Sequence, residues 1–150
     1  METIRLANAD DVARCAELLG MLFSQEREFS PDLEAQSKGL AMIVNNPDAG
    51  FVLVYEDGGI IQGMVLILFT VSTALGKRVA ILEDMIVTPD FRAKGVGTSL
   101  VERALELALD KGCGRVTLLT DHDNEAAHKI YRKCGFTKSD MVVFRMLIGS

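Results

Sequence analysis

Apolar residues recur along the 150-residue chain with two different periods, and the changes of period mark its elements. Apolar alternation at residues 3–6 predicts a short strand. Asn8 or Asp10 can cap the helix that follows, whose stripe of Val12, Cys15, Ala16, Leu19, Leu22 and Phe23 keeps i, i+3, i+4, i+7 spacing. Ser30 and Pro31 open a second helix running to about Asn45, since a hydroxyl cap followed by Pro at the first helical position leaves no donor orphaned. Asn46, Pro47, Asp48 and Gly50 end it, and residues 51–55 return to a strand pattern. The turn Glu56-Asp57-Gly58-Gly59 predicts antiparallel pairing of that strand with the apolar run 60–71. A looser turn at 72–77 leads to the third member of the meander, at 79–87.

The order of elements then changes. A polar, glycine-bearing loop at 89–97 precedes a long helix whose inner stripe is Leu100, Val101, Ala104, Leu107 and Ala108 and which ends near Lys111 and Gly112. Residues 115–120 read as a strand. Asn124 caps another helix that runs to Lys133 and is closed by Gly135, and strands at 136–137 and 141–147 follow. The layout β-α-α-β-β-β-α-β-α-β-β predicts an α/β chain of the mixed-sheet, α+β kind: an antiparallel N-terminal meander, with helices on both faces. With no internal repeat, low-complexity segment or linker, residues 1–150 read as a single domain.

Composition narrows the class of partner. No run approaches the ~20 apolar residues of a membrane span, so a soluble protein with no membrane partner is expected. The 16 basic and 21 acidic side chains give a net charge of −5, with no Trp and no Lys/Arg-rich run, which argues against a nucleic-acid partner. The charge is unevenly spread. Residues 1–75 hold 4 basic and 11 acidic side chains, whereas residues 76–150 hold 12 and 10. Cys15, Cys113 and Cys134 are odd in number and widely spaced, with only His122 and His128 to help them, so inert thiols and no metal site are expected. The first residues lack the cationic start and apolar core of a signal peptide, and a reducing cytoplasm is the expected location.

Three stretches carry candidate chemistry. The first is Arg92, Ala93, Lys94, Gly95, Val96, Gly97 and Thr98, joining a buried strand to a helix start, where backbone N–H groups lack intrahelical partners and the helix dipole adds positive potential. Gly95 and Gly97 remove Cβ atoms that would hold a ligand off those amides, and Arg92, Lys94 and Thr98 add charge and a hydroxyl; a phosphate or pyrophosphate is the expected guest. A Walker loop is excluded because Gly97-Thr98-Ser99 lacks Lys, and a Rossmann fingerprint because Leu100 stands where its third glycine belongs. The second is Glu83-Asp84, two adjacent acids in an otherwise apolar strand. Strand alternation predicts that they point to opposite faces, Glu83 as a cleft base or a structural or substrate-orienting carboxylate, Asp84 as the structural one. The third is the helix after Asp123. Asn124 and Tyr131 lie seven residues apart and so share a face; the Tyr131 ring either packs or serves the site, and His128 reads as a solvated helix residue or an acid–base group.

Together these stretches resemble the GNAT superfamily of N-acetyltransferases. Arg92 to Gly97 is similar to that family's Arg/Gln-x-x-Gly-x-Gly/Ala acetyl-CoA signature, and Asn124 to Phe136 to its later Asn-x-x-Ala…Tyr…Gly-Phe segment, over a match spanning about residues 79–147. Ala93 stands where many members have Gly, which leaves less backbone freedom there. The resemblance implies a fourth strand splaying from a parallel fifth, with Met85, Ile86 and Val87 offering strand-like contacts to the pantetheine arm. It further implies that the amides from Arg92 to Thr98 hold the pyrophosphate and that Asn124 contacts the pantetheine region. Acetyl-CoA would be the co-substrate, with no metal. Glu83 would deprotonate a primary amine, directly or through water; a backbone N–H near Met85 would meet the oxyanion; Tyr131 would protonate the CoA thiolate. The acceptor would be a small-molecule or protein amine, its pocket shaped by the first two helices and their connection at residues 23–33, where Glu26, Glu28 and Asp32 either attract a cationic amine or form an ordinary solvated loop, and a homodimer through an edge strand is expected. The alternative is a non-catalytic acyl-CoA-binding sensor.

Overall fold

In the computed structural model, which describes residues 2–25 and 31–149, the strands assemble in chain order into one five-stranded sheet, β1 to β5. These are β1 (Glu2–Leu6), β2 (Gly50–Asp57), β3 (Ile60–Ser72), β4 (Lys77–Val87) and β5 (Val116–Leu118). Among the described residues, four α-helices accompany them: α1 (Val12–Gln25), α2 (Leu33–Val44), α3 (Val96–Asp110) and α4 (Glu125–Lys133). The first four strands are antiparallel neighbours, and β5 runs parallel to β4. Gly58 and Gly59 both take positive φ, 60° and 81°, the conformation a two-residue hairpin between right-twisted strands needs.

Alternation along the strands builds two cores, one on each face. Phe51, Leu53, Tyr55, Val65 and Ile67 pack with α3 and α4 residues such as Leu100, Val101, Ala104 and Tyr131. Val52, Val54, Met64 and Leu66 pack on the other side with Cys15, Leu18, Leu19 and Leu40 of α1 and α2. Burial pushes the Cys15 thiol up to about 12 and raises Cys113 and Cys134 as well, so all three favour the protonated, unreactive form.

The chain's beginning is tied down by polar contacts. Asn8 caps a one-turn 3-10 helix at residues 9–11 that leads into α1, and its own N–H donates to Asp11 at 2.8 Å. The Arg5 guanidinium donates to both Asp11 oxygens, at 2.8 and 3.0 Å, and to Glu56 of β2 at 2.9 Å. That hydrogen-bonded arginine holds the Asp11 carboxyl below the usual carboxylate range. Gln36 joins the two helices, its amide donating to the Ala16 carbonyl at 2.8 Å.

Three expectations need correction. Helix α2 is capped by Asp32, whose carboxylate accepts from Ala35 N–H at 3.1 Å, so Pro31 precedes the cap; Ser30, Glu26 and Glu28 lie outside the described residues. Strand β5 is shorter than the 115–120 run. The strands expected at 136–137 and 141–147 do not form: after α4 the chain continues without regular structure, and from Met141 on its large apolar side chains are exposed. A strand exists only as one side of a ladder, and β5 is paired on its β4 side alone.

Candidate active site

The site is opened by an early end to strand pairing. Strand β4 meets β5 only at Ala80/Val116, Ile81/Thr117 and Leu82/Leu118, and then runs on through Val87 with no β5 partner. The two parallel strands therefore part, as the splay implied. Thr88 donates its N–H to the Gln62 carbonyl at 2.8 Å, on the β3 side. Peptide groups alternate along a strand, so those of Ile86 also face β3, while those of Met85 and Val87 face the gap. The Val87 carbonyl is already engaged there by Arg92 Nε at 2.8 Å, which ties the following loop to the strand end. The Ile86 side chain is buried in the α1/α2 core.

A β-bulge sits where the two acids are. Leu66 pairs with Asp84 and Ile67 with Leu82, which leaves Glu83 without an opposite residue. The bulge resets the phase of β4: Ala80 and Leu82 pack toward α3, and so do Met85 and Val87, three residues on rather than two. Glu83 and Asp84 consequently line the same clefts, contrary to the opposite-face expectation. Glu83 is exposed and Asp84 half-buried.

Two clefts meet at these carboxylates. The smaller, of about 60 Å³, lies in the strand gap and is lined by Glu83, Asp84, Met85, Asn124 and Tyr131 together with residues 119–121. Five residues singled out in the sequence, from β4 and from α4 with its cap, thus converge. Asn124 caps α4 with Oδ1 accepting from Ala127 N–H at 3.2 Å, and two turns later Tyr131 brings its buried ring edge-on to Phe136, centroids 5.9 Å apart. The turn after α4 is locked by Phe136 N–H donating to the Tyr131 carbonyl at 3.0 Å, with Gly135 at φ 104°. His128 is spent elsewhere, Nε2 lying 2.8 Å from the Asp121 carbonyl, and it does not line the cleft.

The larger cleft, of about 360 Å³, lies between α1, α2 and the sheet. Leu19, Phe23, Leu40, Ile43, Leu66 and Leu68 make it apolar, and Asp32, Glu83 and Asp84 give it carboxylates. Sequence reading missed the α2 wall, Ala35, Gln36 and Gly39 included. The bulge, by contrast, had a signal: apolar positions 80, 82, 85 and 87 break a strict two-residue period.

The loop before α3 has the form of an anion cradle. Gly95 is the N-cap residue at φ 85°, with no side-chain cap bond, and the first rung of the helix is Ser99 N–H to the Gly95 carbonyl at 3.0 Å. The amides of Val96, Gly97 and Thr98 precede that rung and point out of the helix start. Lys94 Nζ lies 5.2 Å from the Phe91 ring centroid. Ala93 holds φ 61°, a left-handed conformation that an L side chain adopts at a cost. Gly97 corrects one expectation: it is buried, and a Cβ there would meet Ile130 Cδ1 at 3.0 Å, so its missing side chain lets α3 approach α4. The loop's glycine-dependent turn and uncapped amides fit a pyrophosphate. Among the described residues, no group of three or more His, Cys, Asp or Glu side chains is arranged to hold a metal ion, and no helix is long and apolar enough to cross a membrane.

Residues 13–136 match the Acetyltransferase (GNAT) family. An uncharacterized N-acetyltransferase of Bacillus subtilis (strain 168) is 33% identical over 136 residues, 89% of this chain and 88% of that protein. The thialysine N-epsilon-acetyltransferase of Bos taurus is 35% identical over 78 residues, 52% of this chain and 45% of that one. In fold, the chain superposes on an aminoglycoside N-acetyltransferase solved with CoA at a TM-score of 0.82, covering 98% of this chain and 95% of that one at 20% identity.

Proposed function

Given that the chain belongs to the GNAT acetyltransferase family and is an acyltransferase, we propose that it carries the acetyl group of acetyl-CoA to a primary amine by direct attack, with Glu83 as general base and Tyr131 as general acid. The observation that carries this reading is the convergence of Glu83, Met85, Asn124 and Tyr131 on the gap between β4 and β5. The amides of Val96, Gly97 and Thr98, with Arg92, Ala93, Lys94 and Gly95 shaping their loop, receive the pyrophosphate. The gap-facing peptide groups of Met85 and Val87 align the pantetheine arm, with Ile86 anchoring the strand between them and Asn124 opposite.

Acetyl-CoA supplies an acetyl thioester. A primary amine is mostly protonated near neutral pH, its pKa being about 10.4 for a Lys-like group, so a base must act first. Glu83, exposed at the bulge, takes that proton through water. The Met85 N–H stabilises the oxyanion formed by attack on the carbonyl carbon. Collapse of the tetrahedral intermediate breaks the C–S bond; Tyr131, with a reference pKa of about 10, protonates the departing thiolate, whose reference value is about 8.5, and recovers its proton from the acetylated nitrogen. The amine enters from the α1/α2 cleft, whose apolar walls and three carboxylates suit a cation with an apolar body. The relatives named as acting on thialysine and aminoglycosides support an amine acceptor. The protein works in the cytoplasm as a homodimer.

The test is release of free thiol from acetyl-CoA over a panel of primary amines: alkyl amines, diamines, amino acids, an aminoglycoside and a lysine peptide. Turnover with a panel member is expected. Tight CoA binding with no turnover on any of them would replace the enzyme by an acyl-CoA sensor.

A further inference from the structure

His128 has no task in the acetyl-transfer chemistry, yet its ring holds a backbone group of the site. The gap cleft has β4 on one side. Its other side includes residues 119–121, which follow the last residue of β5 and take no part in the ladder with β4. Irregular backbone of this kind takes its place from individual hydrogen bonds. Asp121 opens a turn, its carbonyl accepting from Asn124 N–H at 3.1 Å. The same carbonyl lies 2.8 Å from Nε2 of His128, in the first turn of α4. A carbonyl oxygen has two lone pairs and only accepts, so Nε2 carries a proton in this contact and donates it to the bond.

The two bonds differ in reach. The one from Asn124 is made within the turn and travels with it. The one from His128 ties the turn to the body of α4, where Ala127 and Tyr131 are buried in the core shared with α3. Asn124 fixes the other end of the turn to the same helix, through its cap on Ala127 N–H at 3.2 Å. Residues 121–124 are therefore clamped to α4 at both ends, and the clamp at the Asp121 end is a side chain. The cleft beside them holds only about 60 Å³, so a small outward shift of this wall alters its width by a large fraction.

We propose that His128 is a positioning residue for the donor: its bond to the Asp121 carbonyl sets the distance between residues 119–121 and β4, and with it the fit of the pantetheine arm. His128 does not line the cleft and touches no reacting atom; it acts through Asp121. The proposal rests on the reading of the strand gap as the donor's seat, and not on which groups serve as base and acid.

Calorimetric titration with CoA tests it without an acceptor. His128→Ala is expected to bind CoA roughly 3- to 10-fold more weakly, the range of one lost hydrogen bond. The KM for acetyl-CoA, measured with an amine that turns over, should rise in proportion while kcat stays within about 3-fold. His128→Gln keeps an N–H donor at the end of a side chain of similar reach, and its affinity should return to within about 2-fold of the unaltered chain. Ala and Gln are good helix formers, so α4 is expected to persist, which circular dichroism checks. Amide hydrogen exchange gives a local readout: residues 119–124 should exchange faster in His128→Ala but not in His128→Gln, with β4 and α3 unchanged. An unaltered chain that fails to bind CoA overturns the donor seat itself. CoA binding that His128→Ala leaves unchanged overturns the positioning role alone, as does a Gln variant as weak as the Ala one. A fall in kcat with CoA affinity intact in both variants would make His128 an acid–base group instead.

Discussion

Glu83 and Asp84 are neighbours in one strand, yet both line the same two clefts, because the bulge opposite Leu66 and Ile67 absorbs Glu83 and shifts everything after it by one place. In a regular strand one of the two would be turned into the α3 core, where a carboxylate is costly to bury. The bulge thus gathers negative charge at the junction between the strand gap and the larger cleft.

Glu83→Gln is expected to lower kcat/KM by roughly 10²–10⁴ near neutral pH, the usual contribution of a general base. The remaining rate should climb with pH as the amine's own deprotonation replaces the lost group. A pH–rate profile of the variant that keeps the shape of the unaltered enzyme would assign the base elsewhere.

For Tyr131→Phe the ring and its edge-on contact with Phe136 survive while the hydroxyl is lost. Turnover should fall by about 10² or more, with CoA affinity changed by less than about 3-fold. Steady-state kinetics alongside calorimetric CoA titration check this, and an unchanged rate would remove Tyr131 from the acid role.

Gly39 lines the larger cleft, and a Cβ built on it meets nothing within 4 Å. Gly39→Leu should therefore fill the acceptor side without disturbing α2, Leu being a strong helix former. The acceptor KM is expected to rise about tenfold and CoA affinity to stay put. An equal loss of both would place the acceptor elsewhere.

Ala93→Gly relieves a left-handed residue at φ 61°. The conformational relief, about 1–2 kcal/mol, exceeds the extra unfolded-chain entropy of Gly, so a net gain of about 0.5–1 kcal/mol is expected in chemical denaturation. A destabilised variant would show that the surrounding loop needs the methyl group.

Stability should fall in acid through Asp11. Its folded value lies below the ordinary 3.8 because Arg5 bonds both oxygens, so the stabilisation is complete above 3.8 and drains away as pH drops through the lower folded value. Asp11→Asn should flatten the stability–pH curve between about pH 5 and about pH 2 and cost about 1–3 kcal/mol at neutral pH. Urea titrations across that range measure both.

Much of the candidate site was legible because its geometry is local. The Gly95 turn, the Asn124 cap and the Asn124/Tyr131 spacing are each written within a helix or its start, where 3.6-residue geometry dictates direction. What escaped depended on partners distant in sequence. The sidedness of Asp84 follows from the register of β4 on β3, and the larger cleft from where α2 packs. Gly97 was selected for ligand access and proves to serve helix contact, a role visible only once Ile130 is seen beside it. The apolar run at residues 141–147 suggests a strand that does not form, since a strand requires a neighbour that no single-chain periodicity can supply.

The sheet divides the molecule into two layers that share backbone but few side chains. Val52, Val54, Met64 and Leu66 report only to the α1/α2 layer, and Phe51, Leu53, Val65 and Ile67 only to the α3/α4 layer. Substitutions can therefore accumulate on one side at every second position while the other stays in place. If the α1/α2 cleft takes the acceptor, as proposed, such a scaffold can be retuned toward a new one without relearning how to hold its donor.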